Sequence, residues 1–116
     1  MTQKQFYIEH KPLKRCDLFI PHGRIDSSTA PQLEEALKSV MADGRHQIVI
    51  NLSDVDFLSS AALRVLISAA RECRKFKRGD VYLAEVPPKL REVFELAGLD
   101  ELFQFFDSEA EAVGNF

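Results

Sequence analysis

Short hydrophobic runs near the start of the chain predict a pair of strands. Aromatic and aliphatic residues cluster at 6–8 and 18–20, and Pro12 lies in the polar segment between them. This spacing is typical of two antiparallel strands with a proline-containing connection. Farther along, residues 48–52 are largely apolar at successive positions, which indicates a central strand covered on both faces.

The segment after the second strand predicts a helix. Apolar residues between 33 and 41 recur every three or four positions, so they share one helix face. Thr29 followed by Gln32 fits a capping box at its start, and residues 43–44 provide a stop signal at its end.

A second helix is predicted to begin at Ser59 or Ser60 and to continue to about Phe76. Its apolar face begins with Leu63 and repeats at helical spacing through Cys73. Leu63 is therefore expected to be buried as the first core contact of this helix.

The rest of the chain continues the alternation of strands and helices. Residues 81–84 and 102–106 are strand-like, and residues 108–113 fit a short last helix. Between the two strands, a helix opened by Pro87 and Pro88 and closed by Gly98 has one apolar face, formed by Leu90, Val93, Phe94 and Ala97. We therefore predict a single α/β domain over residues 1–116, with a mixed sheet of about five strands, an N-terminal hairpin and about four helices.

Composition narrows the functional classes. A chain of 116 residues has room for one domain with a real core. No stretch is apolar enough to span a bilayer, and the N-terminus lacks a signal-peptide pattern, so a cytoplasmic location is expected. The net charge of −3 argues against direct binding to nucleic acid. The two cysteines do not make a disulfide framework, because Cys73 fits the apolar helix face and Cys16 a strand.

Residue patterns typical of catalysis are absent from the sequence. The three histidines are isolated from one another and from the cysteines, without metal-ligand spacing. Asp54 and Asp56 flank a predicted loop, where such residues more often form turns than an acid–base pair. We expect neither an enzyme nor a metal or other cofactor.

The serines before the second helix are the first candidate site. A helix N-terminus offers unpaired N–H groups and a favourable dipole to a phosphate, which would suit Ser59 and Ser60. Serine is also among the commonest helix caps, and from the helix pattern alone the plain cap is the favoured interpretation.

The longer sequence around the two serines favours the phosphate site over the plain helix cap. N-L-S-D-V-D-F-L-S-S-A-A-L-R-V-L, at residues 51–66, closely resembles the segment around the phosphorylated serine in STAS domains of the anti-sigma factor antagonist family. The resemblance places Ser60 at the phosphoacceptor position, with Ser59 less favoured. Ala62, after Ala61, replaces the usual glycine.

Two further strings extend the resemblance over nearly the whole chain. G-R-I-D-S-S-T-A, at residues 23–30, is similar to a second family motif, and its Asp26 is expected near the phosphoserine together with Asp56, Ala61 and Ala62. L-R-E-V-F-E-L-A-G-L, at residues 90–99, is similar to a third. If the outer face of the second helix is a docking surface beside Ser60, the expected partner-binding residues are Ser28, Leu63, Arg64, Ser68 and Arg71.

The implied function is a binding switch. The unphosphorylated domain would bind a serine kinase that is also an anti-sigma factor and thereby release a sigma factor. Phosphorylation at Ser60 would weaken this binding, and a serine phosphatase would restore it. The ATP belongs to the kinase, and the domain itself is expected to be a monomer or a weak dimer.

Two other classes stay open. One is a STAS subunit of a lipid-transport or signalling complex that never switches, which the departure at Ala61 and Ala62 keeps open. The other is a small-ligand-binding or catalytic α/β domain. The basic outer face of the second helix is equally compatible with a solvated surface and with a docking surface on which Val65 and Ala69 are small apolar spots.

Overall fold

A six-stranded mixed sheet organises the computed structural model, which describes residues 5–116. Residues 1–4, on which the signal-peptide argument partly depends, lie outside the described residues. The strands are β1 (Tyr7–Pro12), β2 (Asp17–Ile25), β3 (Gln47–Asn51), β4 (Val55–Leu58), β5 (Asp80–Ala84) and β6 (Gln104–Phe106). The helices are α1 (Ala30–Ala42), α2 (Ser60–Cys73), α3 (Pro88–Leu96) and α4 (Glu109–Gly114). The predicted α/β class, hairpin and helix number are confirmed.

The long strand β2 connects two parts of the sheet. It pairs antiparallel with β1, as the sequence predicts, and its first residues pair parallel with β3. Its last residues instead pair parallel with β4, after a register shift at Gly23, whose φ is +103°. Beyond β3 the sheet continues through β5 and β6, so β3 is a central strand.

The strand β4 was not predicted, since the sequence indicates a loop around Asp54 and Asp56. The loop covers only residues 52–54 and the strand begins at Val55. Its four residues have buried ends and an exposed middle, so they lack the alternation that reveals a half-buried strand. Only the pairing with β2 identifies it.

The helices cover both faces of the sheet because inward-facing residues alternate along its central strands. Ile48 and Ile50 join the core formed with α1, α2 and α3. Val49 points the other way and packs with Ala112 of α4. Cys73 is buried in the first core, as predicted, and Cys16 is buried immediately before β2, one residue outside the strand.

Several local predictions about the helices are wrong. Thr29 precedes α1, but its side chain caps no helix N–H. Its hydroxyl instead donates to the Arg24 carbonyl and accepts from the Asp26 N–H, so the capping box does not form. The α2 helix ends at Cys73 rather than near Phe76, because a turn follows there. Ala97 lies past the end of α3 and is exposed.

The buried face of α2 is also rotated around the helix axis relative to the predicted face. Leu63 is half-buried at the edge of the core rather than fully buried, and Leu66 is completely buried. Val65 is 9% exposed and Ala69 3% exposed, so neither is a surface spot. The reason is that α1 packs beside α2 and covers this second flank of the helix.

Candidate functional site

Two parallel strands end side by side at the candidate site. Ile25, the last residue of β2, is the register partner of Leu58, the last residue of β4. The N–H of Ser59 donates to the Ile25 carbonyl at 2.9 Å and joins the two ends. Asp26 and Ser59 are therefore the first residues beyond neighbouring strand ends, and Ser60 begins α2 at the same edge of the sheet.

The two serines have different surroundings. Ser59 is the N-cap of α2, is partly buried, and accepts a hydrogen bond from the Ala62 N–H at 3.1 Å. Ser60 is the first helical residue and its side chain is exposed. Within residues 5–116, the Ser60 hydroxyl and the N–H groups of Ser60 and Ala61 have no hydrogen-bond partner. The structure thus leaves Ser60, rather than Ser59, with an available hydroxyl next to unpaired backbone donors.

Asp26 organises the loop before α1. Its Oδ1 accepts hydrogen bonds from the Ser28 hydroxyl at 2.7 Å, the Ser28 N–H at 2.9 Å and the Thr29 N–H at 3.1 Å. The hydrogen bonds from Ser28 are the main cause that lowers the pKa of the Asp26 carboxyl. Burial opposes them less strongly, and the weaker hydrogen bonds from Thr29 lower the pKa further. The carboxylate is therefore ionised at neutral pH, and Ser28 is exposed but held by it.

The outer surface of β4 adds an aromatic and a charged side chain. Asp56 and Phe57 are both exposed, and the Arg24 guanidinium carbon lies 4.3 Å from the centroid of the Phe57 ring. Asp56 lies two residues before the end of β4, which is about 7 Å of strand rise from Leu58. At an exposed site such a cation–π contact is worth about 0.5–1 kcal/mol, so it favours this arrangement of the two side chains.

A histidine that the sequence does not single out tethers the loop before β4. His22 Nδ1 lies 2.5 Å from Asp54 Oδ2, and its Nε2 lies 2.7 Å from Glu9 Oε1. The ring also stacks on Tyr7 at 4.2 Å between centroids. Burial alone lowers the pKa of His22, but the hydrogen bonds to Asp54 and then Glu9 outweigh burial and raise it. No local sequence pattern connects these groups.

The predicted basic face of α2 divides into two parts. Arg64, Ser68 and Arg71 are exposed, as a docking surface requires. Arg74 is engaged, because it donates to Asp80 at 2.9 Å and to the Leu102 carbonyl, and Lys75 pairs with Glu72 at 3.1 Å.

A groove between α1 and α2 begins at Ala61, the residue after Ser60. Its volume is about 360 Å³, and its walls include Ala61, Arg64 and Ser68 on α2 and Ala30 and Glu34 on α1. The surface next to Ser60 is thus a shallow groove with one cation and one carboxylate on its walls.

The part of the chain that the structure describes contains no group of three or more His, Cys, Asp or Glu side chains suited to a metal ion. Its helices, the longest of which is α2 with 14 residues, are too short or too polar to cross a bilayer.

Comparison with known proteins shows similarity to STAS domains and to anti-sigma factor antagonists, in sequence and in structure. Residues 7–112 match the STAS domain family. The anti-sigma-F factor antagonist RsfB of Mycobacterium tuberculosis is 37% identical over 92 residues, which are 78% of this chain and 73% of the relative. The crystal structure of an anti-sigma factor antagonist from Mycobacterium paratuberculosis has a TM-score of 0.85 and 28% identity, covering 96% of this chain and 93% of that one.

A more distant structure shares the fold. The Bacillus cell fate determinant SpoIIAA, in its phosphorylated form, has a TM-score of 0.75 and 20% identity, with 94% of this chain and 98% of that chain covered.

Proposed function

Because this chain belongs to the STAS domain family and to its anti-sigma factor antagonists, we propose that it is a binding switch controlled by phosphorylation at Ser60. The unphosphorylated domain binds a serine kinase that is also an anti-sigma factor, and this binding releases a sigma factor. Phosphorylation ends the interaction, and a serine phosphatase restores it. The domain acts by binding in the cytoplasm and performs no chemistry of its own.

The different roles of the two serines carry this proposal. Ser59 uses its side chain as the cap of α2, while the exposed Ser60 hydroxyl faces solvent. A phosphate on Ser60 lies close to the unpaired N–H groups of Ser60 and Ala61 and to the positive end of the helix dipole. The fold therefore tolerates the modification.

The partner surface responds differently to the same charge. A phosphate adds about −1.5 to −2 charges, and burying it at an interface without matched cations costs several kcal/mol. The ionised Asp26 carboxylate at the same sheet edge adds repulsion. A loss of about 3 kcal/mol corresponds to more than a hundredfold in affinity, which is enough to release a partner.

The change from glycine to alanine at position 62 is compatible with this role. Ala62 is fully buried inside the first turn of α2 and its N–H is satisfied by Ser59. Alanine is the most favourable residue for a helix, so it supports the turn that carries Ser60.

The test begins with the partner itself. Proteins retained by the purified domain without ATP are identified, and the retained kinase is used for calorimetric titrations of the wild type, Ser60→Ala, Ser60→Asp and enzymatically phosphorylated domain. Ser60→Ala is expected to bind as the wild type does and to stay bound when ATP is added. The phosphorylated domain should bind more than about a hundredfold more weakly, and Ser60→Asp should show part of that loss because it carries less charge.

Ser39→Asp is the matched control, since Ser39 is exposed on α1 and receives the same new charge. This variant should bind as the wild type does. Equal affinities for the wild-type and phosphorylated domains would reject the switch and favour a STAS subunit that never switches.

A further inference from the structure

A basic cavity lies at the end of the strands opposite to Ser60. It has a volume of about 550 Å³ and is formed by the turn between β1 and β2, the link between α1 and β3, and the segment after α2. Asp17 and Gln47 in its wall are the first residues of β2 and β3, whereas Ser60 follows the last residue of β4. The two sites are therefore separated by the length of the strands.

The cavity concentrates positive charge on an acidic protein. Four basic side chains line it, those of Lys14, Arg15, Arg45 and Lys77, whereas the chain as a whole has a net charge of −3. Among its described lining residues, Asp17 carries the one carboxylate. Both Asp17 oxygens are already used, because Oδ1 binds His10 at 2.8 Å and Oδ2 binds Arg45 at 2.5 Å.

The ion pair between Asp17 and Arg45 holds in place the wall that presents the exposed cations. Asp17 is 1% exposed, and the Arg45 guanidinium that pairs with it also donates to the Leu13 carbonyl at 2.6 Å and the Cys16 carbonyl at 3.0 Å. These bonds fix the backbone on both sides of Lys14 and Arg15. Arg45 is thus a structural cation, and the charge available to a ligand comes mainly from Lys14 and Lys77.

The exposed cations have few competing partners. Within residues 5–116, Lys14 and Lys77 form no salt bridge, in contrast to Lys38 and Lys75, which pair with Glu34 and Glu72. Arg15 donates to the Phe116 carbonyl. Opposite them, the Phe76 ring is 48% exposed and stacks on His46 at 3.6 Å between centroids, which gives the cavity a flat, rigid wall.

We propose that this cavity binds a small, soluble anion that carries phosphate groups. Several cations around one opening favour a ligand with more than one negative charge, and each charge-assisted hydrogen bond is stronger than a neutral one. A cavity of about 550 Å³ cannot enclose part of another protein, but it has room for a small molecule with a few phosphate groups. This site is independent of phosphorylation at Ser60.

Inorganic pyrophosphate is the probe, titrated at low ionic strength by calorimetry and by backbone amide NMR. Saturable binding is expected, with amide shifts at His46, Gln47 and Lys77. The double variant Lys14→Gln/Lys77→Gln should bind at least about tenfold more weakly, which corresponds to about 1.4 kcal/mol. Both lysines are exposed, so the variant should keep the unfolding midpoint of the wild type.

The control is Lys38→Gln/Lys75→Gln, which removes the same charge from exposed positions outside the cavity. It should retain the wild-type affinity to within about twofold, because neither side chain lines the cavity and each is already paired with a glutamate, Lys38 with Glu34 and Lys75 with Glu72. The proposal is overturned if binding does not saturate, if both double variants lose affinity equally, or if the shifts fall on Ser60 and Ala61 instead.

Discussion

The Ser59 hydroxyl accepts a hydrogen bond from the backbone N–H of Ala62 at 3.1 Å. This bond satisfies one of the N-terminal donors of α2 and occupies the side chain of the first of two adjacent serines. The neighbouring Ser60 hydroxyl is consequently the one that is exposed to solvent. A structural and a regulatory role can therefore occupy consecutive positions without competing for the same side chain.

Replacing each serine with alanine should separate these roles. Ser59→Ala removes the cap and should lower the free energy of unfolding by about 1 kcal/mol, while Ser60 is still phosphorylated. Ser60→Ala should change stability by less than about 0.5 kcal/mol and abolish phosphorylation. Urea unfolding and peptide mass spectrometry after incubation with the kinase measure the two effects. A phosphate found on Ser59 in the wild type would contradict this assignment.

Burial along α2 predicts unequal costs for two leucines of the same helix. Leu66 is completely buried, so Leu66→Ala should cost about 2–5 kcal/mol through lost burial and a new cavity. Leu63 is half-buried at the edge of the core, so Leu63→Ala should cost less, about 1–2 kcal/mol. Denaturant unfolding of the two variants gives the comparison directly. A larger cost at Leu63 than at Leu66 would mean that α2 packs in another rotation.

The His22 cluster predicts a stability that falls as pH rises. Its two ring nitrogens face Asp54 and Glu9, with Tyr7 stacked on the ring, and these hydrogen bonds raise the pKa of His22 in the folded protein despite burial. A raised folded-state pKa means that the contribution is complete below the ordinary value of about 6.5. It is lost as pH rises through the folded-state value.

The variant His22→Gln isolates this effect. The stability advantage of the wild type over His22→Gln should be larger near pH 6 than near pH 9, as measured by urea midpoints at roughly those values. An advantage that is the same at both pH values would show that His22 does not titrate with folding.

Backbone packing at Gly79 predicts an unusually sensitive glycine. A side-chain carbon at position 79 would overlap the carbonyl group of Cys73, and backbone atoms cannot move aside as a flexible side chain does. Gly79→Ala should therefore cost about 1–3 kcal/mol. Gly114→Ala is the matched control, because it has open space around it at the end of α4 and should cost nothing. Thermal unfolding of both variants measures this difference, and equal midpoints would contradict it.

The sequence by itself determined most of the secondary structure and the identity of the candidate serines. Helix periodicity from Leu63 to Cys73 and the continuous apolar stretch of β3 are local patterns, because each depends on residues only a few positions apart. The cap before α2 is equally local. The motif around residues 51–66 added the phosphoacceptor assignment, which neither periodicity nor composition provides.

Tertiary structure alone decided the features that depend on distant partners. The short strand β4 forms because the last residues of β2 turn away from β3 and pair with β4 instead. Its sequence, V-D-F-L, lacks the alternation of buried and exposed residues that would predict a strand. Val65 and Ala69 are buried because α1 packs against them, although they lie outside the apolar face that the sequence predicts for α2. His22 meets Asp54 across 32 residues, and Arg45 meets Asp17 across 28. Such pairs are set by how the strands and helices pack, which residues close together in the chain do not specify.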